Sequence, residues 1–316
     1  MPSEQDNNQA QNEQEETKYY WAREYRLLFP TINLEYNNLE NKEGLAVEFE
    51  VNKDLTQETN KAKFTIRNLT EESRAKIEKQ DLQVDFYAGY RDNDGPKRIF
   101  TGSIIRATTT DEGNHIKTGI EASDGQIAVR DAVFSLSYAP GTSGLIVVKA
   151  IASNMGLPLV LGDGVKFAAY TNGYSFVGHG GDALTEVCGG NGLDWSIQDG
   201  NIQIILNGGS LASRGLVFSP SSGLIGSPAR IVKSSSFEDR DSPKKERRTK
   251  EKTQKPSKKA GWKIETLLAP TVSPGDAIKV ESREIKGWFR VETLKHTGSS
   301  ISGQFRTQMD IIEGLG

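Results

Sequence analysis

The stretch that most restricts the fold is residues 273–296, which reads as a single β-hairpin. Ser273, Pro274, Gly275 and Asp276 make a turn, because Pro274 presets φ, Gly275 supplies a positive φ and Asp276 can hydrogen-bond its own backbone. Ala277, Ile278, Val280 and Ser282 then interleave with Lys279 and Glu281, the period of a half-buried strand. The chain turns near Glu284 to Gly287 and returns through Trp288, Phe289, Arg290, Val291, Glu292, Thr293 and Leu294. Such a hairpin is marginal alone and needs a wider sheet over its apolar face.

Those strands are legible. Between residues 22 and 125, Ala46 to Val51, Ala62 to Ile66, Leu82 to Tyr90, Ile99 to Ile105 and His115 to Ala122 carry strand patterns separated by polar turns such as Asp92, Asn93, Asp94, Gly95 and Pro96. One short helix interrupts them, with Asn68 or Thr70 as its cap, Glu71 and Glu72 at its positive end and Ala75 and Ile77 facing inward. Short strands at this spacing predict an antiparallel barrel or sandwich. The period changes over residues 126–208. Leu145, Val148, Ala152 and Met155 recur at helical spacing and stop at Gly156 and Pro158; a second helix starts at Asp182. Leu193, Trp195 and Ile197 then alternate toward an Asp199-Gly200 turn, and Ile202, Ile204 and Leu206 alternate back. Residues 209–316 return to strands, including Leu216 to Phe218, Ser222 to Pro228, Ala229 to Lys233, Trp262 to Leu268 and Ile301 to Asp310. The expected fold is mainly β with an α+β insert: a β domain over residues 22–125, a small α+β domain over 126–208 and a second β domain over 209–316.

Two segments have few apolar residues to bury. Residues 1–21 are dominated by Gln, Asn and Glu and predict a flexible arm, and residues 238–260 form a charged loop. Lys244, Lys245, Arg247, Arg248 and Lys250 in that loop can meet phosphates or an acidic partner protein. Glu246 and Glu251 dilute the cluster and no aromatic side chains interleave for base stacking, so a solvated loop or a contact with an acidic partner protein is favoured over nucleic acid. The net charge of −3 steers the chain to neither nucleic acid nor membrane, and no apolar run approaches the roughly 20 residues of a membrane span. With no signal-peptide pattern and one cysteine, Cys188, the reading is a protein made in a reducing compartment.

Catalytic chemistry finds little support. His115, His179 and His296 have no metal-ligand spacing, so neither metal nor cofactor is expected. Gly178, His179, Gly180, Gly181 and Asp182 lack the Lys and Ser/Thr of a phosphate loop and read as a turn with a cap. Cys188 shares an apolar face with Leu184 and Val187, which suits a buried thiol. Asp111 and Glu112 beside Gly113 could form a carboxylate pair for glycoside hydrolysis, but a hairpin tip is the simpler reading. Asn68-Leu69-Thr70 matches a glycosylation sequon without the secretion signal that would give it meaning. Trp195 and Trp288 fit as core or interface anchors.

A set of short motifs, in order, carries a resemblance: Asn60-Lys61-Ala62 leading to Ile66-Arg67-Asn68-Leu69, Ala88-Gly89-Tyr90, Ile99-Phe100-Thr101-Gly102-Ser103-Ile104, Ala122-Ser123-Asp124-Gly125, Gly223-Leu224-Ile225-Gly226-Ser227-Pro228, and Pro274-Gly275-Asp276 with Glu281-Ser282-Arg283. Across residues 25–310 the chain resembles the baseplate hub proteins of contractile-tailed bacteriophages and the hub part of related injection systems. The resemblance implies two tube-type antiparallel β-barrel domains flanking the small α+β domain, in a non-enzymatic homotrimer of a virion tail baseplate assembled in the host bacterial cytoplasm. It would join a six-fold tail tube or tube initiator to a separate three-fold spike protein, beside other baseplate proteins and the tape measure, with nucleic acid only passing through its channel. Gly223, Gly226, Pro228, Pro274, Gly275, Asp276, Gly287 and Trp288 are the structural and interface candidates. The alternative is a nucleic-acid- or polysaccharide-binding, or lytic, tail protein acting through the basic loop or the carboxylate pair.

Overall fold

The computed structural model describes residues 22–313 apart from 58, 79–81, 114, 126–130, 212 and 233–259. The N-terminal arm and Lys244, Lys245, Arg247, Arg248 and Lys250 lie outside the described residues. Strands from the two ends of the chain make one thirteen-stranded sheet. The first half supplies β1 (Arg23–Phe29), β2 (Leu34–Asn37), β3 (Val47–Asp54), β4 (Lys61–Arg67), β5 (Gln83–Tyr90), β6 (Gly95–Asp111) and β7 (Ile116–Ser123). The second supplies β15 (Ser213–Phe218), β16 (Leu224–Val232), β17 (Ala260–Leu267), β18 (Ala277–Glu281), β19 (Lys286–Ser299) and β20 (Phe305–Glu313). The lateral order is β16-β17-β20-β19-β3-β4-β7-β6-β5-β1-β2, with β18 beside β19 and β15 beside β18.

Alternation decides which face of each strand is buried. Val47, Phe49 and Val51 on β3 and Ala62, Phe64 and Ile66 on β4 face one core, while Glu48, Glu50, Lys61 and Lys63 face out. Phe49, Phe64, Phe86 and Phe305 stack at centroid separations of 4.8 to 5.7 Å, and each such pair adds about 0.5–1.5 kcal/mol beyond burial. Phe305 and Leu268 come from the second half, so the first core is built by both ends of the chain. A second sheet core gathers Ile264, Ile278, Val280, Phe289, Val291, Leu294 and Met309. The helix α1 (Glu71–Ile77) is capped by Thr70, whose Oγ1 accepts from Ser73 N at 3.2 Å, and buries Ile77. Asn68 lies outside the helix at φ +59°, its Oδ1 accepting from Ile116 N.

The hairpin at residues 273–296 forms as its pattern requires: Ala277 to Glu281 pair antiparallel with Arg290 to Lys286 around a turn pinned by Ser282. Other boundaries move. β16 runs unbroken where a break was expected before Ala229, absorbing Gly226 and Pro228 in a bulge. β6 extends through Asp111, since its Thr-rich end keeps pairing with β7. β20 begins at Phe305, and Ile301 lies in the preceding turn, 71% exposed. The reason is register: Gly298 pairs with Phe305, leaving the six intervening residues to make the reversal.

Between the halves lies a compact α+β unit. Its elements are β8 (Val133–Tyr138), β9 (Thr142–Ser143), α2 (Gly144–Met155), β10 (Leu159–Leu161), β11 (Ala169–Tyr170), β12 (Tyr174–His179), α3 (Gly180–Gly189), β13 (Leu193–Gln198) and β14 (Asn201–Leu206). Ser143 caps α2, which ends at left-handed Gly156. The helix expected from Asp182 starts at Gly180, so Asp182 sits in its first turn and His179 occupies the cap position. Val147, Ile151, Leu184, Val187, Cys188, Trp195 and Ile204 form a core of their own. Burial raises the Cys188 thiol to about 12, which suits packing and not nucleophilic chemistry. Asp199 and Gly200, both at positive φ, turn β13 into β14.

Candidate assembly interface

Two long strands change lateral partners partway along, and that change defines the borders of the sheet. β19 pairs along its length with β20 on one side; on the other, its first residues pair with β18 and residues 293–299 pair antiparallel with β3. A bulge at Glu292 marks the change, since Val291 and Thr293 oppose consecutive residues of β20. β6 repeats the device. Its first half pairs with β5, a bulge falls between Ile104 and Arg106, and its second half pairs with β7. Beyond the bulge, the other edge of β6 has no strand beside it among the described residues. The outer edge of β16 is likewise open among them.

The strand order makes the two halves repeats of one unit. In lateral order, β16, β17, β20 and β19 are followed by β3, β4, β7 and β6; in each set the first, second, fourth and third strands in chain order lie side by side. Register agrees. Glu50, Lys63, Glu121 and Arg106 form one row across the first set, and Ala229, Lys263, Asp310 and Thr293 form the matching row across the second. The β19–β3 junction therefore joins the last strand of one repeat to the first strand of the next.

The outward face of these eight strands is polar and mixed in charge. Arg106 and Lys63 flank Glu121 at 2.9 and 3.5 Å, Lys295 meets Glu50 at 2.8 Å across the junction, and Arg306 meets Glu265 at 2.8 Å. These pairs are exposed and add little stability each; their effect is a face without a dominant sign. A shallow concavity of about 450 Å³ over the junction is lined by residues that include Glu48, Glu50, Lys63, Thr297 and Gln304.

The residues singled out in the sequence fall in three places. Gly223, Gly226 and Pro228 belong to the open border: Gly223 O accepts from Leu267 N at 2.8 Å, and Gly226 lies at φ +67° beside Pro228 in the β16 bulge. Pro274, Gly275 and Asp276 sit under the α+β unit. Pro274 O accepts from Gln203 Nε2 at 3.2 Å, and Gly275 lies at φ +90°, a left-handed conformation that favours glycine, with that same nitrogen 2.5 Å from where a Cβ would stand. Asp276 is buried, its Oδ2 accepting from Ser273 N. Gly287 and Trp288 lie on the first part of β19, where Trp288, 41% exposed, continues a row through Lys279 to exposed Val217 on β15. Trp195, in contrast, is buried in the α+β core.

The chemical candidates stay apart. His296 is buried and shares a 2.8 Å hydrogen bond between Nδ1 and Thr307 Oγ1; burial, then nearby Lys53, lowers its pKa to about 3. No group of metal-binding side chains occurs among the described residues. Asp111 Oδ1 accepts from Gly113 N and Glu112 lies 3.8 Å from Lys117, so this carboxylate pair shapes a hairpin end. Sequence reading missed a polar joint where the β13–β14 turn meets the sheet. Lys53, only 3% exposed, places Nζ 2.6 and 2.7 Å from the Asp199 oxygens. Asp124 Oδ1 accepts from Gly200 N at 3.0 Å, Asn60 Nδ2 donates to Ile197 O at 2.8 Å, and Gln198 Nε2 donates to Asp54 O at 2.6 Å. Burial and the Asp199 charge raise Asp124 to about 6, against the pull of Lys53 and the backbone donors. The available signal was Lys53 at an inward strand position.

No protein-family model matches the sequence, and no curated protein matches it. Solved structures do match. Over 93% of this chain and 97% of the other, the fold is similar to a tail protein from Neisseria meningitidis MC58, with 14% identity and a TM-score of 0.60. It is similar over 93% and 98% to the 43 kDa tail protein of prophage MuSo2 from Shewanella oneidensis, at 9% identity and a TM-score of 0.63. Over 85% of this chain and 73% of the other, it is similar to the E. coli c3393 protein, a type VI secretion component described as structurally similar to the T4 tail proteins gp27 and gp5, at 11% identity and a TM-score of 0.54. A mainly β chain with two strand repeats joined through one sheet and a helical insert between them has the fold of phage and prophage tail proteins.

Proposed function

We propose that this chain is the structural hub of a phage-type tail baseplate, a homotrimer that joins a six-fold tube to a three-fold spike. The observation that carries this reading is the repeat of strand order: the last strand of one set pairs with the first strand of the other inside the chain, and the same two kinds of border are left open at its ends. An open heterologous border closes into a ring when the rotation between copies permits. In this reading the distal half of β6 takes β16 of the next copy antiparallel, as β19 takes β3, and three copies give six repeats around one ring of strands. Pairing also resolves the exposure of two sheet edges, which is otherwise an aggregation hazard.

The polar face of the eight strands then lines the channel. Its interleaved Arg, Lys and Glu side chains present no single-sign field to hold a passing polyanion or protein. The spike and tube bind the two rims, and the α+β unit stands outside the ring of strands. The role is geometric, without a catalytic step.

The matched rows specify the test. If Glu50 corresponds to Ala229 and Thr293 to Arg106, the Thr297–Glu50 pairing of the internal junction becomes Thr110 facing Ala229 of the next copy. Thr110→Cys with Ala229→Cys is expected to give, on mild oxidation, covalent dimers and trimers, and native mass measurement to give three times the chain mass. A monomer at micromolar concentration in the presence of a spike partner, or cross-linking no greater than with single cysteines, would overturn the ring.

A further inference from the structure

The α+β unit has its own core and reaches the sheet through the polar joint. Three charged side chains converge there: Lys53 from β3, Asp124 from the end of β7 and Asp199 from the β13–β14 turn. Lys53 is committed to both oxygens of Asp199. Asp124 is 1% exposed, holds Gly200 N with one oxygen, and has no partner for Oδ2 among the described residues. Two carboxylates thus share one buried ammonium, Asp124 itself buried and Asp199 with 20% of its side chain exposed. With both ionised the joint carries an unbalanced negative charge, which a dry interior disfavours strongly.

The other groups facing this place do not restore the balance. His296 on β19, near Lys53, is buried and neutral above about pH 3. Asp54 bonds Thr56 at the surface, and Asn60, Gln198 and Gln203 are neutral amides. Two remedies remain: a proton on Asp124, or water reaching it when the Asp199-Gly200 turn withdraws.

We propose that the joint is a proton-binding latch, which holds a proton on Asp124 while the α+β unit is seated on the sheet and releases it when the unit tips away. The contacts that must break are mostly polar: the Lys53–Asp199 pair, the Gly200 N–H to Asp124 bond, the Asn60 and Gln198 bonds, the Thr185 to Gln57 bond and the Gln203 to Pro274 bond, beside the packing of Ile197 on Gly125. Because the seated form takes up the proton, acid favours seating and alkali favours tipping, and the effect saturates once Asp124 is ionised in both forms.

The test is a distance measurement between spin labels on the full chain at Ser135→Cys and Arg98→Cys, both exposed sites. Cys188 stays unlabelled, being buried with a raised pKa. The ratio of tipped to seated populations is expected to rise about tenfold from pH 5 to pH 8, with near-UV circular dichroism unchanged. Asp124→Asn should abolish that rise. Asp199→Asn should do so as well: asparagine tolerates the positive φ of 51° at this turn, and it frees Lys53 to neutralise Asp124. A wild-type distribution identical at the two pH values, or a tenfold change retained in Asp124→Asn, would overturn the latch.

Discussion

Gly298 shows how much one residue decides at the junction. It sits between Phe49 of β3 and Phe305 of β20, and a Cβ there would fall 2.5 and 2.6 Å from their rings. Those rings close over it at 5.7 Å in an edge-on pair. Gly298→Ala is expected to destabilise the chain by about 1–3 kcal/mol through overpacking, read from denaturant unfolding. Two buried titrating groups set opposing pH responses. His296 titrates at about 3 in the folded chain and 6.5 ordinarily, so the unfolded chain binds its proton first and stability falls as pH drops from 6.5 to 3. Asp124 titrates at about 6 folded against 3.8, so its contribution to stability is present below 3.8 and is lost as pH rises to 6. Between pH 4 and 6 the two oppose each other. Asp124→Asn should therefore steepen acid destabilisation, and His296→Asn should make the chain gain stability on acidification, each with a slope approaching about 1.4 kcal/mol per pH unit in urea titrations. Alternation marked the core positions around these groups, yet neither shift was legible, because desolvation depends on which elements cover a side chain.

At the scale of elements, β19 pairs with β18, β20 and β3, and its sequence reveals these pairings unequally. Its hairpin with β18 was readable from the turn at Ser273 to Asp276 and from the strand period. Its pairing with β3 was not, since residues 293–299 and 48–54 are distant in sequence and any alternating strand offers the same backbone groups. Deleting Glu292 removes the bulge and moves either the Val291 or the Thr293 side to the wrong face; a one-residue slip inverts every inward position beyond it. Loss of cooperative unfolding and exposure of the Leu294 strand to hydrogen exchange are the expected result. Trp288 gives the opposite expectation. With 41% of its surface exposed, Trp288→Ala should change the stability of the isolated chain by no more than about 0.5 kcal/mol. If that row of Trp288 and Val217 anchors a partner, the same change weakens assembly, which native mass measurement reads.

At the scale of the whole molecule, the prediction concerns the borders. Placing lysine at both Thr110 and Ala229 should leave the melting temperature of the chain within a few degrees of wild type while preventing ring formation, because like charges directly opposite across a strand pair repel. The amino-acid sequence by itself determined the mainly β character, the helical insert and the faces of most strands, because turn chemistry and the periods of two and 3.6 residues act within a few neighbours. β8 and β12 escaped notice although Val133 to Tyr138 alternate, because β9, α2, β10 and β11 lie between the two paired strands. Only the tertiary structure decided that the two halves share one sheet, that their strand orders repeat, and that Lys53, Asp124 and Asp199 meet. The physical reason is that long-range strand pairing uses backbone hydrogen bonds common to every residue, so its choice among borders is made by packing of the assembled cores and not by any local pattern.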